Sequence, residues 1–281
     1  MKSPYFPGHV AAAHRTLATM MAAADVVLQV RDARAPLASA GRVPGRRGRR
    51  QSLVVVLNKS DLADPVVTDR WVRFFDGQGQ AAVAVDSRGC GGVSPVLRLI
   101  DRAGASRAGS TAVAVTGLPN VGKSSLINCL AGRARAKRGD MPGVTRVPQW
   151  ITTGRGIRVL DTPGVTFPGE LADEMAWTLA SIGVLPEGAI DPVAAATWLI
   201  SRLPARLLAT LRERYGVNEY EVASELLVGL ARRRGLLGAG GIPLVEQAAL
   251  VVLRDFRQGR LGQCSLEIPP EDPVDGHETP S

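Results

Sequence analysis

The chain has 281 residues, 45% of them hydrophobic, which fits one large globular domain or two smaller ones. No apolar run approaches the ~20 residues of a bilayer-spanning helix, and residues 1–9 lack the apolar core of a secretory signal. We therefore expect a cytoplasmic protein without a membrane span. The three cysteines are far apart and form no C-x-x-C pair, which predicts reduced thiols rather than a zinc site or a disulfide framework.

The net charge is +8, and a basic chain of this size usually meets a polyanion, with RNA as the first candidate. Aromatic residues make up only 4%, so contact with a phosphate backbone suits the composition better than base stacking. A general basic bias without a nucleic-acid partner is the alternative. The arginine-rich segment from Arg42 to Arg50 is either a solvated, mobile loop or an RNA contact, and the two are compatible.

Apolar runs and helical periodicity divide the chain near residue 170. Before it, strands alternate with helices, which predicts an α/β domain with a mostly parallel sheet over residues 1–170. After it, only helical stretches follow, which predicts an all-helical domain over residues 171–268. The Pro-rich, acidic tail, 269–281, is expected to be disordered. The predicted strands are 25–30, 53–57, 81–85, 112–115, 146–152 and 156–160, and the predicted later helices are 171–182, 192–202, 204–214, 219–232 and 244–257.

The segment around residues 113–130 carries the strongest chemical signal, G-x-x-x-x-G-K-S between a strand and a helix. Gly117 and Gly122 let successive backbone N–H groups point into one cavity at a helix N-terminus. Lys123 can reach the β- and γ-phosphates, and the Ser124 hydroxyl is left for Mg²⁺. A glycine-rich turn with a chance lysine is the alternative. The pattern predicts a bound nucleoside triphosphate.

The motif N-K-S-D at 58–61 follows a buried strand and predicts the base. The Asp61 carboxylate can accept hydrogen bonds from N1–H and N2–H₂ of guanine, whereas adenine would leave it unpaired at a cost of about 2–4 kcal/mol. Asn58 suits the guanine N7 edge, and the Lys59 stem can lie over the ring. A backbone N–H after the next strand can close the pocket. The predicted base-binding residues are Asn58, Lys59, Ser60, Asp61, Asp86 and Ser87.

Two further motifs predict switch segments, P-G-V-T at 142–145 and D-T-P-G at 161–164. Asp161 suits a carboxylate that holds a Mg²⁺ water, and the Gly164 N–H can meet the γ-phosphate. Thr145 fits Mg²⁺ and the γ-phosphate, with a plain turn threonine as the alternative. In ordinary GTPases the base motifs come last, whereas here they come first. Each motif lies on its own strand–loop unit, so the same sheet can form with relocated termini. The helical domain then directly follows the second switch, where loss of the γ-phosphate can be transmitted to it.

These motifs resemble the circularly permuted GTPases, and within them the ribosome biogenesis GTPase A family. The likeness covers nearly the whole chain and includes F-P-G-H at 6–9, D-A-R at 32–34, G-L-P-N-V-G-K-S-S at 117–125 and R-D-F-R-Q-G-R-L-G at 254–262. It implies a circularly permuted, Ras-like P-loop GTPase domain followed by a small helical domain that contacts rRNA. It also implies Mg²⁺-dependent GTP hydrolysis, stimulated by the pre-ribosome, late in large-subunit assembly.

Two roles follow from the resemblance. Ras-like GTPases have a catalytic glutamine just after D-x-x-G, but here Val165 and Thr166 follow Gly164. In the family the histidine of F-P-G-H orients the attacking water, a role that falls to His9 here. A helix-start residue or an RNA contact is the alternative for His9. Asn120 matches the asparagine that ligates K⁺ in potassium-dependent GTPases.

The expected cofactors are GTP or GDP, Mg²⁺ and K⁺, and the expected partners are the large ribosomal subunit or its precursor and rRNA. We expect a monomer away from the ribosome. A GTP-sensing RNA-binding module with negligible hydrolysis and a GTPase acting on tRNA or the small subunit stay open, while Asp61 opposes an ATP-using phosphotransferase. The predicted phosphate-side residues are Gly117, Asn120, Val121, Gly122, Lys123, Ser124, Ser125, Thr145 and Gly164, and the predicted Mg²⁺ ligands are Ser124, Thr145 and Asp161.

Overall fold

A computed structural model describes residues 17–43, 51–104, 110–132, 149–153, 156–162, 171–217, 220 and 222–270. Its strands are β1 (Val26–Asp32), β2 (Ser52–Asn58), β3 (Ala82–Val85), β4 (Thr111–Thr116), β5 (Gln149–Thr152) and β6 (Ile157–Asp161). They form a six-stranded sheet in the order β3-β2-β1-β4-β6-β5. β5 is antiparallel to β6, and the other neighbouring pairs are parallel. The predicted mostly parallel α/β sheet is confirmed.

Helices cover this sheet on both faces, which is why its central strands are nearly continuous apolar runs. All seven residues of β1 are buried. The helices of this half are α1 (described over 17–22), α2 (Pro65–Gly77), α3 (Ser94–Gly104) and α4 (Lys123–Ala131). α2 begins where the sequence favours it, because the Asp64 carboxylate caps the N–H groups of Val66 and Val67 and Pro65 occupies the first turn.

The second half is helical in the residues that the structure describes. Its helices are α5 (Asp173–Ser181), α6 (Pro192–Arg202), α7 (Ala205–Tyr215), α8 (Ala223–Arg233) and α9 (Val245–Arg257). One buried hydrophobic cluster runs from strand residues such as Val113 to helix residues such as Leu253. The division into separate domains near residue 170 stays a prediction, and residues 271–281 of the predicted tail lie outside the described part. No helix among the described residues combines the length and apolarity needed to cross a bilayer.

After α9 the chain returns to the sheet half as an irregular segment, here called the strap (residues 261–268). Its backbone N–H of Cys264 donates to the Leu62 carbonyl oxygen at 3.0 Å, and that of Leu266 donates to the Arg34 carbonyl oxygen at 2.7 Å. The strap therefore lies against the turn that contains the N-K-S-D motif. Further hydrogen bonds join Glu267 to Leu37, Ala38 and Trp71.

The prediction of three reduced thiols is wrong for two of them. Cys90 and Cys129 form a disulfide with an S–S distance of 2.10 Å, while Cys264 keeps a buried thiol. Cys90 lies in the turn after β3, and Cys129 lies on α4, the helix beside that turn. Their 39-residue separation conceals this contact, because only the packing of α4 brings them together.

Candidate nucleotide-binding site

The predicted phosphate loop (residues 117–124) connects β4 to α4 and needs glycine at two places. Gly117 has φ of 152°, and a Cβ atom there would lie 2.4 Å from the Val30 carbonyl oxygen. Gly122 has φ of 100°, and a Cβ there would lie 2.0 Å from Nδ2 of Asn58. Any side chain would collide with neighbouring chain or take a strained backbone conformation. The two glycines thus allow a tight loop that ends at the N-terminus of α4.

Lys123, the first residue of α4, is only 8% exposed. Its ammonium Nζ donates to the Leu118 carbonyl oxygen at 2.7 Å, so the side chain folds back over the loop. Burial lowers the pKa of Lys123 to about 8, and the nearby Asp161 carboxylate opposes that decrease. A buried, weakly compensated ammonium group at a helix N-terminus is well suited to receive a phosphate group.

The switch motif D-T-P-G begins at the end of β6, beside β4. Asp161 pairs with Val115 in the β4–β6 register and is 1% exposed. The Thr162 hydroxyl donates to the Val115 carbonyl oxygen at 2.6 Å, which fixes the start of the motif at the edge of the phosphate loop. Ser124 is the second residue of α4. Gly164, Thr145 and His9 lie outside the described residues.

Asn58 links the predicted base pocket to the phosphate loop. It is 1% exposed, and its amide nitrogen donates to the Val121 carbonyl oxygen at 2.8 Å. Its amide oxygen accepts from the Ser87 N–H at 3.2 Å. One side chain therefore joins the loops that follow β2, β3 and β4. The expected contact between Asn58 and guanine N7 stays a prediction beside this bridging role.

Asp61 lies in the short 3-10 turn Ser60–Leu62 and is incompletely paired. Its Oδ1 atom is buried and has no hydrogen-bond partner among the described residues, while Oδ2 pairs with the guanidinium of Arg88. Burial and the Asp86 carboxylate raise the pKa of Asp61, and Arg88 opposes them. A buried acceptor without a donor costs about 1–3 kcal/mol. Guanine would supply adjacent N–H donors like those that Arg88 presents.

Lys59 has a left-handed backbone conformation, with φ of 59°. Its Nζ atom lies 3.0 Å from Oδ2 of Asp32. Burial lowers the pKa of Lys59, and Asp32 is the main opposing influence. The sequence singled out Asp32 only as part of the D-A-R motif and gave it no role in the site, because its contact with Lys59 depends on the pairing of β1 with β2, which the sequence does not state. Arg34, which also pairs with Asp32, was missed for the same reason.

Asn120, the predicted K⁺ ligand, is exposed and has φ of 60°. Its amide nitrogen donates to the carbonyl oxygen of Gly183, just after α5, at 2.9 Å. The phosphate loop thereby contacts the helical half of the molecule directly. The structure thus gathers the described members of the predicted set at the carboxyl edge of the parallel strands, where ligands bind in open α/β sheets.

Comparison with known proteins supports the same assignment. The family model described as "50S ribosome-binding GTPase" matches residues 112–186. Ribosome biogenesis GTPase A of Priestia megaterium is 32% identical, over 96% of this chain and 98% of that protein.

Two solved structures of YlqF are also similar to this chain. The GNP-bound structure from T. maritima has a TM-score of 0.64 at 29% identity and covers 93% of this chain and 100% of that one. The GDP-bound structure has a TM-score of 0.62 at 30% identity and covers 87% and 95%. With its P-loop, its permuted motif order and relatives that match over nearly their full length, the chain belongs to the ribosome biogenesis GTPase A family, whose members bind and hydrolyse GTP in ribosome biogenesis.

Proposed function

We propose that this GTPase acts as a switch in late assembly of the large ribosomal subunit, and that the ribosomal particle stimulates its hydrolysis. The observation that carries the proposal is the direct attachment of a helical, arginine-rich region to the nucleotide site. The Asn120–Gly183 hydrogen bond joins that region to the phosphate loop, and the strap joins it to the turn that contains the N-K-S-D motif. A change in the bound nucleotide therefore has a short physical route to the helices.

The helical half presents many positive charges to solvent. Exposed guanidinium groups suit contacts with the rRNA backbone, which depend on charge and little on sequence. The description of the matching family model, a 50S ribosome-binding GTPase, supports the 50S particle as the partner, and we propose its rRNA as the surface that the arginines contact. The exposed arginines of this half are Arg202, Arg206, Arg212, Arg214, Arg232, Arg233, Arg234, Arg254 and Arg260.

The residues at the phosphate loop fit Mg²⁺. Asp161 is buried close to Lys123, and Ser124 lies at the start of α4, so an oxygen donor set of the kind that Mg²⁺ prefers is at hand. Ser124 would hold the ion directly and Asp161 through water, with Thr145 as the third expected ligand. The ion would supply charge neutralisation at the β- and γ-phosphates.

The remaining functions of the site belong to protein groups. Backbone N–H groups of the phosphate loop and the Lys123 ammonium orient the phosphates, Asp61 selects guanine, and His9 orients the attacking water. Asn120 would hold K⁺ through its amide oxygen. We propose that the protein is monomeric away from the ribosome and works in the cytoplasm.

The decisive test is GTP turnover by the purified protein alone, with 50S subunits and with 30S subunits, each in K⁺ and in Na⁺ buffer. We expect strong stimulation by 50S subunits alone and a higher rate in K⁺. Stimulation by 30S subunits alone would assign the enzyme to another RNA. An unchanged rate under all conditions would favour a GTP-sensing module with negligible hydrolysis. The absence of the catalytic glutamine, whose place Val165 and Thr166 take, is consistent with that alternative.

The role of His9 has its own test. His9→Ala should leave GTP affinity unchanged and lower 50S-stimulated turnover about 100-fold, because positioned acid–base groups contribute ~10²–10⁴-fold. His14→Ala is the matched control, since it removes a second histidine from the same N-terminal segment. Equal stimulated rates for His9→Ala and the unmodified protein would contradict the catalytic role.

A further inference from the structure

A buried carboxylate lies behind the predicted base pocket. Asp32 is fully buried and accepts hydrogen bonds from Arg34 through Nε at 2.9 Å, Nη2 at 2.8 Å and the backbone N–H at 3.1 Å. The Lys59 ammonium completes the cluster at 3.0 Å. Asp32 therefore holds two cations, one of them from the motif that recognises the base.

The position of Asp32 follows from the sheet register. β1 and β2 are parallel, and Asp32 pairs with Asn58, the first residue of N-K-S-D. The following Lys59 then reaches back over the end of β1. The arginine and the lysine hold the pKa of Asp32 at about 2 despite burial, so the carboxylate is charged at neutral pH.

Arg34 connects the same cluster to the helical half. Its Nη2 donates to the Ile182 carbonyl oxygen at 3.2 Å, just after α5, and its Nη1 donates to the Phe256 carbonyl oxygen in α9 at 3.5 Å. The guanidinium carbon lies 5.3 Å from the centre of the Phe256 ring. The Arg34 carbonyl oxygen accepts from Leu266 of the strap. A planar, five-donor group is required for this set of contacts.

Fixing a lysine side chain in one conformation costs rotamer entropy. If Asp32 fixes Lys59 before the nucleotide arrives, that cost does not reduce binding affinity. We propose that Asp32 is a positioning residue for guanine binding, which holds the Lys59 ammonium so that the lysine stem faces the base. Arg34 holds Asp32 in turn, and its contacts with Ile182 and Phe256 make the position of Lys59 depend on the packing of the helical half. The inference rests on the base pocket proposed above.

The test is a double-mutant cycle with a fluorescent GDP analogue as the probe. Asp32→Asn removes the charge but retains the size, and we expect the GDP dissociation constant to rise about tenfold, equivalent to ~1.4 kcal/mol. Lys59→Met should weaken binding at least as much. The double variant should bind no more weakly than Lys59→Met alone, because the two residues act as a unit.

The matched control is Asp255→Asn, which removes another buried carboxylate that is paired with arginines, in α9. It should lower thermal stability without changing GDP affinity, which separates positioning from general destabilisation. Unchanged GDP affinity in folded Asp32→Asn, or additive effects in the double variant, would overturn the inference.

If Asp32→Asn does not fold, Arg34→Lys takes its place. Lysine retains a cation for Asp32 but cannot also reach the Ile182 and Phe256 carbonyl groups. We expect a roughly threefold loss of GDP affinity, and an unchanged value would overturn the inference. A separate variant tests the base pocket itself. If Asp61 does not bind guanine, Asp61→Asn will leave the preference for GDP over XDP unaltered, whatever the result for Asp32.

Discussion

Two regions of the molecule pair a carboxylate with arginine, and they differ in how completely the carboxylate is paired. In the helical half, Asp255 accepts from Arg214 at 2.7 Å, from Arg260 at 2.9 Å and from the Tyr215 hydroxyl at 3.1 Å. In the predicted base pocket, Asp61 keeps a buried oxygen without a partner among the described residues. A buried acceptor without a donor is costly, and a ligand that supplies N–H groups would satisfy it. The complete cluster stabilises the fold, and the incomplete one is suited to a ligand.

The largest expected effect concerns the incomplete carboxylate. Asp61→Asn should weaken GTP binding about 100-fold, because one acceptor facing the guanine N–H donors is replaced by an amide donor. The same amide can donate to the xanthine carbonyl, so affinity for XTP should rise. Competition binding with GTP, XTP and ATP measures both changes. Unchanged GTP affinity would remove Asp61 from the base pocket.

A substitution in the Asp255 cluster should change the stability of the protein rather than its nucleotide affinity. Asp255→Asn is expected to lower the free energy of unfolding by about 2 kcal/mol, because its partners lose a charged acceptor. Burial alone would raise the pKa of Asp255, but the hydrogen bonds from Arg214, Arg260 and Tyr215 outweigh burial and lower it.

The pH dependence follows from the sign of that shift. The stabilisation from Asp255 is present above the usual carboxyl pKa of about 4 and is lost as pH falls through the lower pKa of the folded state. Denaturant unfolding of both forms between pH 7 and pH 3 should show a difference that shrinks in acid. A difference that grows in acid would contradict the pairing.

Lys123 offers an intermediate effect on the phosphate side. Its pKa of about 8 in the nucleotide-free protein should rise when phosphates bind, so binding takes up a proton above that pH. GDP affinity should therefore fall between pH 8 and pH 9, by at most about tenfold per pH unit. Lys123→Ala is the matched control, because it removes the titration of the lysine and retains that of the guanine base in GDP. An equal slope in both proteins would assign the pH dependence elsewhere.

Most of the fold was predictable because the relevant signals are local. Buried parallel strands read as short apolar runs, and each of the predicted strands from β1 to β4 lies within two residues of its observed bounds. Helix starts were predictable for the same reason. The helix α6, for example, begins at Pro192, and the Asp191 side chain caps it by accepting from the Val193 N–H. The predicted helix at 219–232 begins later, with α8 at Ala223.

The rest depends on contacts that no local pattern encodes. The Cys90–Cys129 bridge and the Asn120–Gly183 hydrogen bond follow from how helices pack on the sheet. The position of Asp32 behind Lys59 follows from strand register, which the sequence does not state. Motif spacing thus predicts which residues form the site, and that assignment stays a prediction, whereas the contacts that hold the described ones in place became visible only in the structure.

The smallest expected effect concerns Arg88, which pairs with Asp61 and Asp86 and has a side chain that is 62% exposed. Exposed ion pairs contribute only about 0.2–1 kcal/mol, so Arg88→Gln should tighten GDP binding by about two- to threefold, because guanine no longer has to displace a guanidinium. Arg202→Gln, which breaks an exposed pair with Glu174 in the helical half, is the matched control. If Arg88→Gln weakened binding instead, Arg88 would be a contact of the nucleotide rather than its competitor for Asp61.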